Sequence, residues 1–331
     1  MKKKNVINHR ILSGIQPSGA LHIGNYFGAI RQHIELQQKN ECYYFVANYH
    51  AMTTIKDPGQ LRENSMLVAV DYLALGFSPD CASLFLQTDV REVAELAWIL
   101  STVIPLGMLE RAHSYKDKIA KGIAPSHGLF AYPVLMAADI LIYDSEYVPV
   151  GKDQKQHLEM TRDMALKLNA LYGDEVLVIP KDLILDEVAV VPGVDGQKMS
   201  KSYDNTIEIF QSFKQTKSKL MRIVTDSKGL EDPKDPDNTI VHLYKLFADP
   251  KDVEAMREKL LAGGYGYGHA KKELLDTVWA YFEPHRNRRE ELLKNLDFVE
   301  DVLRKGALQA REKAETVMQR VRKACGLQRF V

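Results

Sequence analysis

The stretch Ser13-Gly14-Ile15-Gln16-Pro17-Ser18-Gly19-Ala20-Leu21-His22-Ile23-Gly24-Asn25-Tyr26 follows an apolar run that begins at Ile7. Ile7 to Gly14 reads as a strand, Gln16-Pro17-Ser18-Gly19 as a turn, and the residues after Ala20 as the start of an apolar helix. A strand that turns directly into a helix is the opening of a parallel sheet wrapped by helices. In such a sheet the turn lies outside the carboxyl end of the strand, where ligands bind. His22 and Asn25 are three apart, so one helical turn can direct both side chains at one ligand. Gly24 leaves room for a flat group against the backbone. The N–H groups and partial positive charge of a helix start suit a phosphate.

Further along, Tyr43 to Asn48, Leu84 to Gln87, Tyr147 to Val150 and Val176 to Ile179 complete a set of about five strands. Leu61, Ser65, Val68, Tyr72 and Leu75 share a face and predict a crossover helix over 61–75. Leu158, Thr161, Ala165, Leu168 and Tyr172 predict another, with Gly173 as its stop. Beyond about Asn205 strand signals vanish, and the chain reads as helical with breaks at 226–238 and at Gly263-Gly264-Tyr265-Gly266-Tyr267-Gly268. That glycine run follows no strand and does not satisfy G-x-G-x-x-G, so it reads as a turn between helices. The expected fold is α/β, a Rossmann-type doubly wound parallel sheet with a C-terminal mainly helical domain. The boundaries are 1–205 for the first domain and 206–331 for the second.

Composition narrows the class of function. With 331 residues, 45% hydrophobic and 27% charged, the chain is neither disordered nor fibrous. Its apolar runs are too short for a membrane span, and Asn8, His9 and Arg10 interrupt what would be the apolar part of an export signal. The cysteines Cys42, Cys81 and Cys325 are too scattered for a disulfide framework or a structural metal site, so no metal is expected on the protein and a cytoplasmic location is. Lys and Arg balance Asp and Glu at 44 each, yet residues 286–331 carry 12 basic against 7 acidic residues. Such a tail is either a solvated helix face or a contact for a polyanion, and Arg320, Arg322 and Lys323 are the candidates for the latter.

No G-x-x-x-x-G-K-[ST] loop is present to hold phosphate. Instead Lys198-Met199-Ser200-Lys201-Ser202 follows Gly193 and Gly196. Two lysines three apart on a glycine-flexible loop can fold over a triphosphate and supply charge as pyrophosphate leaves. Taken with His22-Ile23-Gly24-Asn25, this pair resembles the HIGH and KMSKS signatures of class I aminoacyl-tRNA synthetases. KMSKS is unaltered, whereas the first signature ends in Asn. Gln16-Pro17-Ser18-Gly19 with Gly24-Asn25-Tyr26, Leu109-Glu110-Arg111, Met136-Ala137-Ala138-Asp139, Val148-Pro149-Val150-Gly151, Asp153-Gln154-Lys155-Gln156-His157 and Thr225-Asp226-Ser227 resemble the tryptophanyl-tRNA synthetase family.

The resemblance implies a homodimer that activates L-tryptophan with ATP and Mg²⁺ and passes it to tRNA(Trp), with the helical domain recognising the anticodon end. It places His22, Asn25, Lys198 and Lys201 in catalysis. It places Gln16, Pro17, Ser18, Gly24, Asn25, Gly151, Lys152, Asp153, Val190, Lys198, Met199, Ser200, Lys201 and Ser202 at ATP. Tryptophan needs an apolar slot and one acceptor, because an indole nitrogen only donates. Asp139 supplies the acceptor, a carboxylate that would have no donor facing it without the indole. Met136, Val148, Val150 and Leu12 line the slot, with His50, Tyr132 and Gln154 around it. Where many members have Thr-Gln-Phe-Lys, this chain has His113-Ser114-Tyr115-Lys116, which leaves Lys116 and Lys118 for phosphate but no glutamine at Ser114. Two other readings stay open, a tyrosyl-type synthetase and a synthetase-like binding protein that has lost catalysis.

Overall fold

In a computed structural model, residues 6–112, 115–116, 119, 122, 126–151, 154–173, 175–183 and 191–327 are described. The strands β1 (Arg10–Ile15), β2 (Glu41–Val46), β3 (Ala82–Leu86), β4 (Tyr147–Pro149) and β5 (Lys181–Leu183) form one sheet in the order β3-β2-β1-β4-β5. Every pairing is parallel. The order reverses direction at β1, which is the expected Rossmann-type switch point.

The alternation along each strand sends side chains into two cores. Ile11, Tyr44, Val46 and Leu84 join one, with Ile23, Tyr26, Met199 and the helices of the second half. Leu12, Tyr43, Phe45 and Phe85 join the other, with Ala137, Ala138, Val148 and Leu158. Both faces being covered explains why these strands are nearly continuous hydrophobic runs.

Helices form where the spacing predicts them. The crossover helix is Pro58–Ala74, started by Asp57, whose carboxylate accepts the Gln60 N–H at 2.6 Å. The helix after the fourth strand is Lys155–Tyr172 and ends at Gly173. The glycine run joins Pro250–Ala262 to Tyr267–Leu293. The fifth strand differs from expectation. Residues 176–179 do not pair with the sheet, because Asn169 takes both backbone groups of Leu177, at 2.8 and 2.9 Å. The ladder instead resumes at Lys181–Leu183 beside β4.

The last helix, Leu296–Ala324, does not stay with the helical half. It lies along β3 and adds Ala307, Ala310, Ala314, Val317, Met318 and Val321 to the second core, which covers an otherwise open sheet edge. Its cations are then used internally. Arg322 is 5% exposed and holds Glu95 and Glu315, while Lys313 and Arg320 both bind the buried Asp144. This corrects the reading of Arg320 and Arg322 as free for a polyanion; Lys323 is exposed.

The close approach is made possible by Gly306, where a Cβ would stand 2.1 Å from the Leu84 carbonyl oxygen. Gly306→Leu is therefore expected to cost about 1–3 kcal/mol of stability through overpacking. Urea denaturation should show a lower midpoint; an unchanged midpoint would mean that the helix is not seated on β3.

Candidate active site

His22 begins the helical segment Ile23–Asn25 and caps it. Its Nδ1 accepts the Asn25 N–H at 3.3 Å, and the Asn25 side-chain oxygen accepts the His22 N–H at 3.0 Å. The reciprocal pair is a capping box built from an unusual residue pair. A π-helical turn, Tyr26–Ile30, follows directly. Because Nδ1 accepts a bond, the neutral ring carries its proton on Nε2. Burial, and secondarily the charge of Lys201, lower the His22 pKa to about 4. At neutral pH the group is an uncharged N–H donor.

The lysine-serine loop rests on this turn. Met199 is buried with its sulfur 3.3 Å from the Gly24 N–H, and the Lys201 ammonium donates to the Ser18 carbonyl oxygen at 3.0 Å. A Cβ on Gly24 would stand 2.9 Å from His22 Nδ1 and 3.3 Å from Met199 Cβ. A side chain at this position would therefore crowd His22 and Met199, which is why the packing takes a glycine. Asn205 holds the loop from beneath, accepting the Ser200 N–H at 2.7 Å and donating to the Lys198 carbonyl and Asp195. Lys198, Lys201 and Ser202 are exposed beside exposed Gln16 and Ser18, with Pro17 buried. Shielding lowers the Lys201 pKa, while Glu208 and Asp71 act in the opposite direction.

Several of the residues expected around tryptophan come together at Asp139. Asp139, on the helix His127–Leu141, is 2% exposed. Its Oδ2 lies 2.9 Å from His50 Nε2, and Gln87 Nε2 donates to Oδ1 at 2.9 Å and to Oδ2 at 2.8 Å. Burial raises the Asp139 pKa, and the bonds from His50 and Gln87 oppose that rise. The carboxylate therefore has donors before any ligand arrives, which corrects the expectation that it would stand without one. Leu12 and Val148 are buried in the adjoining core, with Met136 and Val150 packed against it. Tyr132 bonds His157, and its ring meets His50 edge-on at 6.3 Å. Gln154 is half-buried at the start of Lys155–Tyr172, near exposed Gly151. Lys152, Asp153, Val190, His113, Ser114 and Lys118 lie outside the described residues.

Gln87 was not among the residues singled out from the sequence. Its signal was a lone amide ending the apolar run Leu84-Phe85-Leu86 at the carboxyl end of a parallel strand, where a ligand is expected.

A profile of the tRNA synthetases class I (W and Y) matches residues 4–283. The tryptophan–tRNA ligase of Fusobacterium nucleatum is 55% identical over 318 residues, 96% of this chain and 98% of the relative. That of Rhodopirellula baltica is 55% identical over 319 residues, 96% of this chain and 99% of the relative. The chain belongs to the tryptophanyl-tRNA synthetase family. A crystal structure of tryptophanyl-tRNA synthetase from Campylobacter jejuni, complexed with ADP and tryptophan, superposes with a TM-score of 0.91 at 51% identity, covering 96% of this chain and 100% of that one. Within the family fold, the two signature segments pack on one core through Ile23 and Met199, and the helix that carries Asp139 packs on the other through Ala137, Ala138 and Ile140.

The protonation of His22 has a measurable consequence. The unfolded chain binds a proton on this histidine up to about pH 6.5, whereas the folded chain does so only below about 4. Between those values the unfolded state holds more protons, so the His22 contribution to stability falls as pH drops through that window. NMR titration of the ligand-free protein should find His22 half-protonated near pH 4. A midpoint near 6.5 would contradict the buried, neutral ring.

Proposed function

We propose that the chain activates L-tryptophan with ATP and transfers it to tRNA(Trp). The observation that carries this reading is the seating of the 198–202 loop on the 16–25 turn, with Met199 on Gly24 and Lys201 on Ser18. This contact supports the reading because it joins the two segments that the reading assigns to phosphate.

In the first step a tryptophan carboxylate oxygen attacks the ATP α-phosphorus, the bond from that phosphorus to the bridging oxygen breaks, and pyrophosphate leaves. Neutral His22 and Asn25 donate to the phosphates, and Lys198 and Lys201 balance the charge that develops as pyrophosphate departs. In the second step a terminal ribose hydroxyl of the tRNA attacks the adenylate carbonyl and AMP leaves. Gln16, Pro17, Ser18, Gly24, Met199, Ser200 and Ser202 shape the ATP side, with Gly151, Lys152, Asp153 and Val190 toward its ribose and adenine. Asp139 reads the indole N–H within a slot of Leu12, Met136, Val148 and Val150, while His50, Tyr132 and Gln154 border it.

Among the described residues no group of three or more His, Cys, Asp or Glu side chains could hold a metal. In this reading Mg²⁺ enters on the triphosphate, in keeping with its preference for phosphate oxygens over a protein cage. The domains divide as 1–205 for catalysis and 206–331 for tRNA recognition, with the last helix returning to the first. With Arg320 and Arg322 internally paired, the RNA contact falls to exposed cations such as Lys214 and Lys217 on the helix Phe213–Met221. A cytoplasmic location accords with this role, and among the described residues no helix is long and apolar enough to cross a membrane. A homodimer is supported by Trp98 and Leu106, which are 72% and 69% exposed on neighbouring helices.

ATP–pyrophosphate exchange with tryptophan, tyrosine and phenylalanine tests the reaction; tyrosine as the preferred substrate would favour the tyrosyl-type alternative. Lys201→Ala should lower the exchange rate by about a hundredfold, equivalent to about 3 kcal/mol, with the tryptophan KM within about threefold of wild type. A rate within about threefold of wild type would remove Lys201 from the chemistry. Trp98→Glu should turn the dimer into a monomer in sedimentation, and an unchanged sedimentation coefficient would place the interface elsewhere.

A further inference from the structure

We propose that Gln87 is a specificity-determining positioning residue, which holds Asp139 as an oriented acceptor so that the slot selects an amino acid whose ring carries an N–H. The inference rests on the reading of Asp139 as the group that meets the indole.

The geometry fixes the orientation of the Gln87 amide. Its Oε1 accepts the backbone N–H of Tyr49 at 3.0 Å, which leaves only the NH₂ end to face Asp139. Nε2 lies within 2.9 Å of both carboxylate oxygens, and Gln87 is 1% exposed. The two loops that carry these groups are pinned to each other a residue away. Asn48 donates to the Thr88 hydroxyl at 2.9 Å and accepts the Thr88 N–H at 3.2 Å. The amide therefore has one rotamer and one face to offer.

The consequence lies in how the lone pairs of Asp139 are used. A carboxylate has about four acceptor sites. Oδ2 is met by both His50 and Gln87, Oδ1 by Gln87 alone. A ligand donor therefore belongs on Oδ1. Burial alone would favour the protonated acid, which accepts less well, and the bonds from His50 and then from Gln87 oppose that tendency because they stabilise the ionised form. Gln87 is neutral, so it does this without a counter-charge that would compete with the indole. His50 also bonds Asp139, but it occupies the oxygen away from the proposed ligand position.

The test compares tryptophan with β-(3-benzothienyl)alanine, in which sulfur replaces the ring N–H at nearly the same shape. Steady-state ATP–pyrophosphate exchange is measured for wild type, Gln87→Met, Gln87→Glu and Asp139→Asn. Gln87→Met keeps volume but removes the donors. Gln87→Glu keeps shape and polarity, and sets a second carboxylate against the first. In both, kcat/KM for tryptophan is expected to fall by about ten- to a hundredfold. The value for the analogue should stay within about threefold, so the preference for the N–H collapses. The KM for ATP should not move. A loss shared equally by both amino acids would make Gln87 merely structural and overturn the proposal, as would a wild-type preference in both Gln87 variants. If Asp139→Asn leaves the preference intact, the reading of Asp139 itself fails and the proposal falls with it. If Asp139→Asn collapses the preference while the Gln87 variants keep it, only the Gln87 inference is lost.

Discussion

The parallel pairing of β1 between β2 and β4 is the constraint on which the rest depends. The chain leaves β1 toward β2 and β3 on one side and returns to β4 and β5 on the other. With both faces of the sheet buried, the connections at its carboxyl end must diverge, and the cleft opens where they part. The 16–25 turn leaves β1 at that end of the sheet. In the strand order the loops after β2 and β3, which carry His50 and Gln87, lie to one side of it and the end of β4 to the other.

Charge is handled differently on the two sides. On the side proposed for phosphate the fixed donor is neutral His22, since the N–H groups of Ile23, Gly24 and Asn25 already meet Ile207, Met199 and His22. The cations proposed to supply positive charge, Lys198 and Lys201, are exposed on a loop held through Met199 against Gly24 and through Asn205 at Ser200. That arrangement suits a reaction in which charge moves as a group departs. On the side proposed for the amino acid a carboxyl group is buried and static, and it is made tolerable by donors fixed in place. In the proposed reading Asp139 then discriminates by hydrogen bonding, since an apolar slot alone separates ligands of similar size poorly.

The sequence carried the architecture well because strands buried on both faces and amphipathic helices leave strong periodic marks. Four strands, the crossover helix at Pro58–Ala74 and the helix at Lys155–Tyr172 lie where hydrophobic spacing puts them. The fifth strand was misread because Val176 to Ile179 is β-rich in composition, yet Asn169 takes its backbone groups, a tertiary bond with no local signal. The last helix was misread for a related reason. Its excess of Lys and Arg is visible locally, but the partners Asp144 and Glu95 stand far back in the chain. At the site, the contact between the 16–25 turn and residues 198–202 accords with the two motifs, whereas the capping of His22 and Asn25 by each other has no signal in them. Gln87 has no motif, and its role emerges only when β3, the loop after β2 and the helix at His127–Leu141 converge.

A crystal structure of the chain with tryptophan and a non-hydrolysable ATP analogue tests most directly the claim that one switch point divides a phosphate side from an indole side. The account predicts the indole nitrogen about 3 Å from Asp139 Oδ1, with Gln87 unmoved and the phosphates between the 16–25 turn and the 198–202 loop. An indole that meets another acceptor, or phosphates bound away from those two segments, would contradict it.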